Sequence, residues 1–413
     1  MTSTERARVL VTGTISRADI AEMFRPLAAG CDLTFVEYER EWGEGVDAAV
    51  YRGLGELTTW EAHRSANELL DSVRPSRIVL LFTSSLNQVA LRAAARARGI
   101  ETVHVEHGYR LPASDVPSVR PTPTAAGEPR LSGWRTHSFF LRSSFERSPT
   151  VVQQLLAYAA AVARSGVTPT VLRRFADLRR PDRYVSYSQE CFDYHRDIDV
   201  IPPAVDAMTV FTGVPQFDDF EVWASVKPAR EAVLIDHQFH NVGWFGWNLD
   251  FRREWVQQLG RAVADAGIEQ LYVKLHPGDR SNAWDSIIGE RIRVVDRDEL
   301  PELARRVSFV LGSFSTMQMP FVAQPHIATI SLEIHPESGW FPSRRFVEAG
   351  VSEPVRSFDG LRGLLVRTDA LRAQQDPAKS AFTERFLERL DGRAGSRITE
   401  AILSPARGPY LHR

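Results

Sequence analysis

A lysine and a histidine lie two residues apart in LYVKLHPGDR, residues 271–280. On a β-strand successive side chains point to opposite faces, so Lys274 and His276 are predicted to share one face. Pro277 and Gly278 end the strand, which brings the cation and the imidazole to its carboxyl tip. Because ligands of open α/β sheets bind beyond the carboxyl ends of parallel strands, the stretch predicts an anion site. A histidine that caps its own turn is the alternative.

A second polar turn follows a buried apolar run in VLGSFSTMQMPF, residues 310–321. The hydroxyl residues Ser313, Ser315 and Thr316 come directly after the predicted strand. Hydroxyls and free backbone N–H groups at a helix start favour a phosphate, because the N–H groups and the helix dipole point at the anion. The alternative is a serine that only caps a buried helix. The turn lies one strand and one helix after His276, so both are predicted at one crevice.

Three sets of residues raise the question of a metal ion, and no metal is predicted from them. Cys31 and Cys191 lie far apart without CxxC spacing, so neither a disulfide framework nor a cysteine zinc site is expected. His237 and His240 are three residues apart but have no evident third ligand. The acidic pair at 218–219 is interpreted as a solvated turn. No other cofactor is expected.

The elements that must position these residues alternate between strands and helices in both halves of the chain. Strands are predicted at ARVLVTG, DLTFVEYE, RIVLLFT, ETVHVEHG, AMTVFTG, EAVLIDHQ, EQLYVKLHPG, RIRVVD, SFVLGSFST and HIATISLEIH. Residues 56–75 are predicted as an amphipathic helix and residues 380–403 as a closing helical stretch. This alternation predicts right-handed crossovers and parallel sheets.

Length and composition indicate a soluble globular protein of about two domains, given roughly 150 residues per domain. Of the 413 residues, 43% are hydrophobic and 25% are charged. The net charge of -2 excludes a global field that would attract polyanions, so nucleic acid is not expected as a partner. No run of 18 apolar residues and no signal segment is present, so a cytoplasmic location is expected, with contact at the inner membrane face left open.

The KxHP strand end and the Ser/Thr-rich turn together resemble the HP and SS motifs of bacterial GT-B sialyltransferases and polysialyltransferases, which use CMP-sialic acid. Similar patterns occur in capsule Kdo transferases and CDP-glycerol transferases. VHVEHGYR, residues 103–110, resembles the acidic-acidic-glycine motif of their N-domains. FTGVPQFDD, residues 211–219, resembles the segment that enters their nucleotide domain. The likeness in element order covers most of the chain, and the specific motifs cover a small part of it.

This resemblance implies an α/β GT-B fold, in which two facing Rossmann-like doubly wound domains enclose an interdomain cleft. Residues 1–220 would form the acceptor domain and residues 230–380 the nucleotide-donor domain. Residues 381–413 would form a helical segment that packs back on the first domain. Residues 112–133, rich in proline, serine and threonine, are predicted to form a surface loop.

The resemblance also implies a donor site. His276 would contact the donor phosphate and act as the acid that assists the departure of CMP. Lys274 and the three hydroxyl residues of the 310–321 turn would bind the same phosphate. Asp236 and Glu333, each near the end of a predicted strand, are candidates for hydrogen bonds to the nucleotide.

A base for the acceptor hydroxyl is implied in the VHVEHGYR stretch. Glu106 occupies the first acidic position of the motif, where a carboxylate serves as the general base. The second acidic position is His107 here, which departs from the pattern. EHG also resembles the His-Gly pair of the glycerol-phosphate and Kdo enzymes, and in that alignment His107 is the base.

The function implied is therefore metal-independent, inverting transfer of an acidic sugar from a CMP-activated donor to a carbohydrate or other hydroxyl acceptor in polysaccharide biosynthesis. Three alternatives remain open. They are a transferase that moves polyol phosphate from a CDP-alcohol, an enzyme similar to UDP-sugar epimerases, and a non-catalytic carbohydrate-binding protein.

Overall fold

In the computed structural model of the protein, the described residues are 6–14, 16–41, 44–82, 85–109, 132–147, 176–198, 201, 208–223, 226–276, 278–279 and 281–405. They form two compact units. Unit 1 contains the described residues up to Gly108, those from 132 to Gln216, and those from Arg393 onward. Unit 2 contains Tyr109 and residues 217–392. Three separate stretches of chain therefore build unit 1.

Unit 1 is built on a sheet of seven parallel strands. These are β1 (Ala7–Thr12), β2 (Cys31–Glu37), β5 (Glu56–Thr59), β6 (Arg77–Leu80), β7 (Glu101–Val105), β8 (Arg183–Ser186) and β9 (Thr209–Phe211). A separate antiparallel ribbon consists of β3 (Arg40–Glu41) and β4 (Glu44–Gly45). The spatial order is β5-β2-β1-β6-β7-β8-β9, which is the Rossmann order with one added strand.

Helices connect these strands and cover the sheet. They are α1 (Ala18–Glu22), α2 (Arg25–Ala28), α3 (Ala66–Val73), α4 (Leu86–Ala97), α5 (Ser132–Arg147), α6 (Ala176–Arg179) and α7 (Gln189–Ile198). The central strand β1 is apolar at consecutive positions, as expected of a strand that is buried on both faces.

Unit 2 repeats the arrangement with six parallel strands. These are β10 (Ala229–Ile235), β11 (Gln270–Lys274), β12 (Ile292–Val294), β13 (Val307–Gly312), β14 (Ala328–Leu332) and β15 (Glu353–Val355). Their spatial order, β12-β11-β10-β13-β14-β15, is again the Rossmann order. The connections leave the sheet in opposite directions from β10, which places the topological switch point between β10 and β13.

Seven α-helices of unit 2 lie in the described part of the chain. They are α8 (Phe239–Val242), α9 (Leu249–Asp265), α10 (Leu300–Ala304), α11 (Met319–Val322), α12 (Arg344–Glu348), α13 (Phe358–Leu365) and α14 (Thr368–Phe382). After a π-helical turn at Thr383–Leu387 the chain returns to unit 1. The last helix, α15 (Ala394–Leu403), places Ile398 and Ile402 in the core of unit 1.

The predicted α/β fold with two Rossmann-like units is confirmed, with four local corrections. Residues 56–75 are not one helix, because β5 pairs with β2 and the helix starts only after the N-cap Ser65. The closing stretch is interrupted at Gly392, whose φ of 69° is a left-handed conformation. Strands β8 and β15, which are four and three residues long, were not predicted.

The fourth correction concerns β11, the strand that was predicted to carry both Lys274 and His276. β11 ends at Lys274, because β10 ends at Ile235 and β12 at Val294, which are its last ladder partners. His276 therefore lies in the loop after the strand, and strand alternation does not relate it to Lys274. Pro277 lies outside the described residues.

Of the predicted 112–133 loop, residues up to 131 lie outside the described part of the chain, and α5 begins at Ser132. No helix in the described part is both long and apolar enough to cross a membrane.

Candidate functional site

A cavity of about 520 Å³ opens in unit 2 at the topological switch point of the sheet. Four loops contribute to it, and each follows the carboxyl end of a strand: β10, β11, β13 and β14. The lining residues are Tyr109, His237, Gln238, Phe239, Val242, Trp244, His276, Phe314, Ser315, Thr316, Met319, Pro342, Ser343, Arg345, Phe346 and Phe386. This is the edge at which open α/β sheets bind their ligands.

The charged side chains of the cavity lining are of one sign, positive. Arg345 is the only guanidinium or ammonium group among these residues, and none of them is an aspartate or a glutamate. The polar groups beside it are hydroxyls, an amide and two imidazoles. In a partly enclosed cavity, a cationic side chain beside hydroxyls and imidazoles attracts anions. The lining therefore suits a ligand with negative charge.

His276 lines this cavity with a defined tautomer. Its Nδ1 accepts a hydrogen bond of 3.0 Å from the backbone N–H of Gly278. An accepting Nδ1 carries no proton, so in the neutral ring the proton is on Nε2. His276 can therefore donate a hydrogen bond, and in the protonated form a proton, from Nε2. Lys274 does not line the cavity; its ammonium donates to the carbonyl of Leu275 at 2.8 Å, and burial lowers its pKa.

The Ser/Thr-rich turn divides into two parts. Ser315 and Thr316 line the cavity, and Ser315 also caps the following 3₁₀ turn by accepting from the N–H of Met317 at 3.3 Å. Ser313 is buried and donates to the carbonyl of Leu332 at 3.0 Å, away from the lining. A Cβ on Gly312 would lie only 3.0 Å from the carbonyl oxygen of Ile235, so a glycine suits the close approach of β10 and β13 here.

An aromatic group forms one wall of the cavity. The ring of His237 stacks on Phe239 and on Phe314, with centroid distances of 4.8 and 4.7 Å. Burial lowers the pKa of His237 to about 4, so the ring is neutral at pH 7. Its Nε2 has no hydrogen-bond partner among the described residues, and the same holds for the indole nitrogen of Trp244 and the hydroxyl of Ser343.

A buried ion network fixes the loops after β10 and β11. The guanidinium of Arg252, on α9, is fully buried and donates to Asp236 and to Asp279 at 2.8 Å each. Asp236 also accepts from the indole of Trp284 at 2.9 Å and from the N–H of His237 at 2.8 Å. Asp279 follows the His276 turn, so one arginine holds both histidine-bearing loops.

Glu333 has a comparable role after β14. Its buried carboxylate accepts from the N–H of Ser343 at 3.1 Å and lies 3.3 Å from Nε2 of His335. Ser343 lines the cavity, whereas Glu333 and Asp236 do not. Both carboxylates therefore support the lining from behind.

In unit 1, the two candidates for the base have different surroundings. Glu106 is fully buried, and its carboxylate accepts from the hydroxyls of Tyr184, at 2.9 Å, and Ser186. His107, the next residue, is partly exposed and packs edge-on against Phe82 at 4.6 Å. Both follow β7, at the carboxyl edge of its sheet.

Sequence reasoning did not single out most of the lining residues, among them Tyr109, Phe314, Ser343 and Arg345. Phe314 lies between two residues that were singled out, and a stacking role for it was not considered. Arg345 lies on a helix after β14, and the sequence carries no motif that distinguishes it from the adjacent Arg344.

Comparisons with known proteins give a likeness in fold. No protein-family model and no curated protein matches the chain. Among solved structures, UDP-GlcNAc 2-epimerase from Neisseria meningitidis bound to UDP-GlcNAc matches with 11% identity and a TM-score of 0.52, over 96% of this chain and 99% of that chain. The wall teichoic acid polymerase TagF matches with 13% identity and a TM-score of 0.52, over 96% of this chain and 88% of that chain. A variant of TagF soaked with CDPG matches with 11% identity and a TM-score of 0.53, over the same shares.

These matches and the two Rossmann-ordered sheets define an α/β protein with the GT-B fold. At sequence identities of 11–13%, the similarity to these solved structures shows a shared fold and nothing more.

Replacing Arg252 by alanine would leave two buried carboxylates without their cation. We expect Arg252→Ala to lower the free energy of unfolding by about 3–5 kcal/mol, the usual cost of breaking a buried ion pair from one side. Arg253→Ala is the matched control, because this neighbour is half-exposed and pairs with the exposed Asp250; it should change stability by less than about 0.5 kcal/mol. Urea denaturation measures both, and equal effects would contradict the role of Arg252.

The lowered pKa of His237 makes stability depend on pH. The unfolded chain takes up a proton near pH 6.5 and the folded chain only near pH 4, so stability that is present above pH 6.5 is lost as the pH falls toward 4. Between pH 7 and pH 5 the wild type should lose about 2 kcal/mol more than His237→Phe, which keeps the stack. Urea denaturation at both pH values gives this difference, and identical losses would show that His237 does not titrate in this way.

Proposed function

We propose that the chain is a GT-B glycosyltransferase that moves an acidic sugar from a CMP-activated donor to a hydroxyl acceptor, with inversion and without a metal at the phosphate. The observation that carries the proposal is the switch-point cavity of unit 2. Its lining combines one arginine, two imidazoles and hydroxyls with no carboxylate. Such a lining stabilises the negative charge of a nucleotide phosphate.

The departure of CMP requires groups that stabilise the charge developing on the phosphate. In this proposal, Arg345 supplies the fixed positive charge, and Ser315 and Thr316 donate hydrogen bonds to the phosphate oxygens. His276, with its proton on Nε2, donates a hydrogen bond that stabilises the leaving group. Protonation of the leaving group would need the imidazolium form, in which Nδ1 also carries a proton. Preorganised donors are effective in this role because they need no reorganisation during the reaction.

The nucleoside is proposed to bind against the aromatic wall. Phe314 and Trp244 offer faces for stacking, and His237 offers a neutral ring nitrogen. A buried polar group without a partner costs about 1–3 kcal/mol. A ligand rich in hydrogen-bonding groups would supply partners for the unpaired atoms of His237, Trp244 and Ser343.

We assign the general base to His107 rather than to Glu106. Glu106 is fully buried and its oxygens already accept two hydroxyl hydrogen bonds, whereas His107 is partly exposed. A general base must reach the proton that it removes. An imidazole also has an unperturbed pKa near neutrality, which suits a base that works at cellular pH.

A second candidate is the transfer of polyol phosphate from a CDP-alcohol. It is favoured by the His107–Gly108 pair and by the fold shared with TagF, one variant of which was soaked with CDPG. CMP would leave in this reaction too, but the bond that breaks is between phosphorus and oxygen rather than at the sugar carbon. A fold shared with UDP-GlcNAc 2-epimerase keeps the epimerase alternative open.

Nucleotide binding discriminates between these candidates. CMP should raise the melting temperature more than UMP or UDP and to the same extent with and without magnesium. Arg345→Ala should weaken CMP binding about tenfold or more, since a hydrogen bond to a charged group contributes about 1.5–3 kcal/mol. Arg344→Ala, which removes an exposed arginine outside the lining, is the control and should bind CMP as the wild type does.

Other outcomes of the titration have defined meanings. A preference for UDP would overturn the CMP assignment and support the epimerase alternative, as would turnover of a sugar nucleotide without an acceptor. A preference for CDP over CMP would favour the CDP-alcohol alternative. No response to any nucleotide would support a non-catalytic protein.

The roles assigned to His107 and His276 predict how turnover changes in their variants. The assay needs an acceptor, which screening with CMP-sialic acid and CMP-Kdo as donors would identify. His107→Ala should lower kcat by about 10²–10⁴-fold, the usual contribution of acid–base catalysis, while CMP still stabilises the protein. His276→Ala should lower both kcat and CMP binding. His63→Gln is the control, at a histidine that bonds Thr58 of β5, an edge strand separated from β7 by three other strands. Unchanged turnover in His107→Ala would exclude His107 as the base.

A further inference from the structure

Three buried side chains with metal-binding donor atoms converge in unit 1. They are the carboxylate of Glu106, the thiol of Cys191 and the imidazole of His195. One donor atom from each lies within 4.8 Å of the other two. Their exposed fractions are 0%, 0% and 2%. The cluster belongs to neither the phosphate site nor the base described above.

Local structure explains why these residues meet. Cys191 and His195 are four residues apart on α7, so their side chains lie on the same face of the helix. Glu106 directly follows β7, and its N–H donates to the carbonyl of Val185 in the neighbouring strand β8 at 3.0 Å. Since α7 follows β8 along the chain, its Cys-His face packs toward the end of β7.

The orientation of His195 is that of a metal ligand. Its Nε2 lies 3.0 Å from the carbonyl oxygen of Gly108. A carbonyl only accepts, so the proton of the neutral ring is on Nε2. The lone pair is then on Nδ1, which lies 3.6 Å from the carboxylate of Glu106. Metal-binding histidines commonly donate their second ring N–H to a backbone carbonyl in this way.

Glu106 is held by a comparable outer layer. The hydroxyls of Tyr184 and Ser186 donate to its two carboxylate oxygens. Ligating carboxylates are usually hydrogen-bonded in this manner, which fixes their direction.

We propose that Glu106, Cys191 and His195 bind one Zn²⁺ as a structural metal site of unit 1. A thiolate, an imidazole and a carboxylate are the three ligand types that zinc takes in proteins. On binding, the Cys191 thiol loses its proton to solvent and a sulfur–zinc bond forms. The thiolate and the carboxylate together neutralise the dication, which is what a buried site requires.

The separations are compatible with a tetrahedral ion. Bonds of about 2.0–2.3 Å place ligand atoms about 3.3–3.8 Å apart. Nδ1 of His195 and Oε1 of Glu106 are already 3.6 Å apart. No two of the three donor atoms are more than 4.8 Å apart, so each pair needs to close by at most about 1 Å to reach that range. A water molecule would take the remaining position of the tetrahedron.

Burial makes this site structural rather than catalytic, since structural zinc sites are closed to substrate. The metal would join α7 to the end of β7 and fix the turn Glu106–Gly108. The proposal does not depend on the proposed function, and its test uses no substrate.

The test is a metal titration of the full-length, chelator-treated protein. Co²⁺ should bind at one equivalent per chain and give the visible bands of a tetrahedral site together with a sulfur-to-cobalt charge-transfer band. Zn²⁺ should displace it, release a proton and raise the melting temperature. The chain has only two cysteines, so Cys31→Ala is a matched control that should retain every one of these signals.

Cys191→Ser and His195→Gln should no longer bind one metal ion per chain tightly. Far-ultraviolet circular dichroism establishes that each variant is folded. If a variant does not fold, the cobalt spectrum of the wild type still tests the proposal, because the charge-transfer band requires a thiolate ligand. Absence of tight binding by the wild type, a cobalt spectrum without the charge-transfer band, or its loss in Cys31→Ala would each overturn the proposal.

Discussion

The candidate site of unit 2 depends on one buried interaction, the guanidinium of Arg252 held between the carboxylates of Asp236 and Asp279. A charged group with no exposure to water is stable only when it is paired. The guanidinium of Arg252 therefore has its lowest energy between these two carboxylates. Each carboxylate belongs to a loop that also carries a lining histidine. Helix α9 thereby fixes the relative positions of His237 and His276, and the cavity wall needs no ligand to keep its shape.

The order of the strands determines where the cavity and the loops held by Arg252 lie. In both units the strands follow the Rossmann order, so two neighbouring strands send their connections to opposite sides and leave a crevice between them. In unit 2 a Cβ at Gly312 would lie 3.0 Å from the carbonyl oxygen of Ile235, so a glycine suits the close approach of β13 to β10. Ser315 and Thr316, three and four residues after this glycine, lie at the cavity. Local chain geometry and global topology favour the same position for the ligand.

Much of the fold could be predicted from the sequence because apolar runs of four to seven residues alternate with amphipathic helices. What could not be predicted depends on partners far apart in the chain. β5 contains polar residues and is a strand only because β2 offers a ladder, and β11 stops at Lys274 because its neighbours stop. For the site, the sequence pointed to His276, Ser315 and Thr316 through their spacing. Arg345 and the meeting of Cys191 with Glu106 have no local signal, since each is produced by the packing of separate elements.

The path of the chain through the two units affects how the protein is made. Unit 2 is almost continuous in sequence, whereas the core of unit 1 includes Ile398 and Ile402 from the last helix. During synthesis from the N-terminus, unit 2 can therefore close its core while unit 1 still lacks part of its own. Until α15 leaves the ribosome, the apolar surface that it covers stays open to chaperones and to aggregation. A premature stop before α15 would thus damage the unit that was synthesised before unit 2.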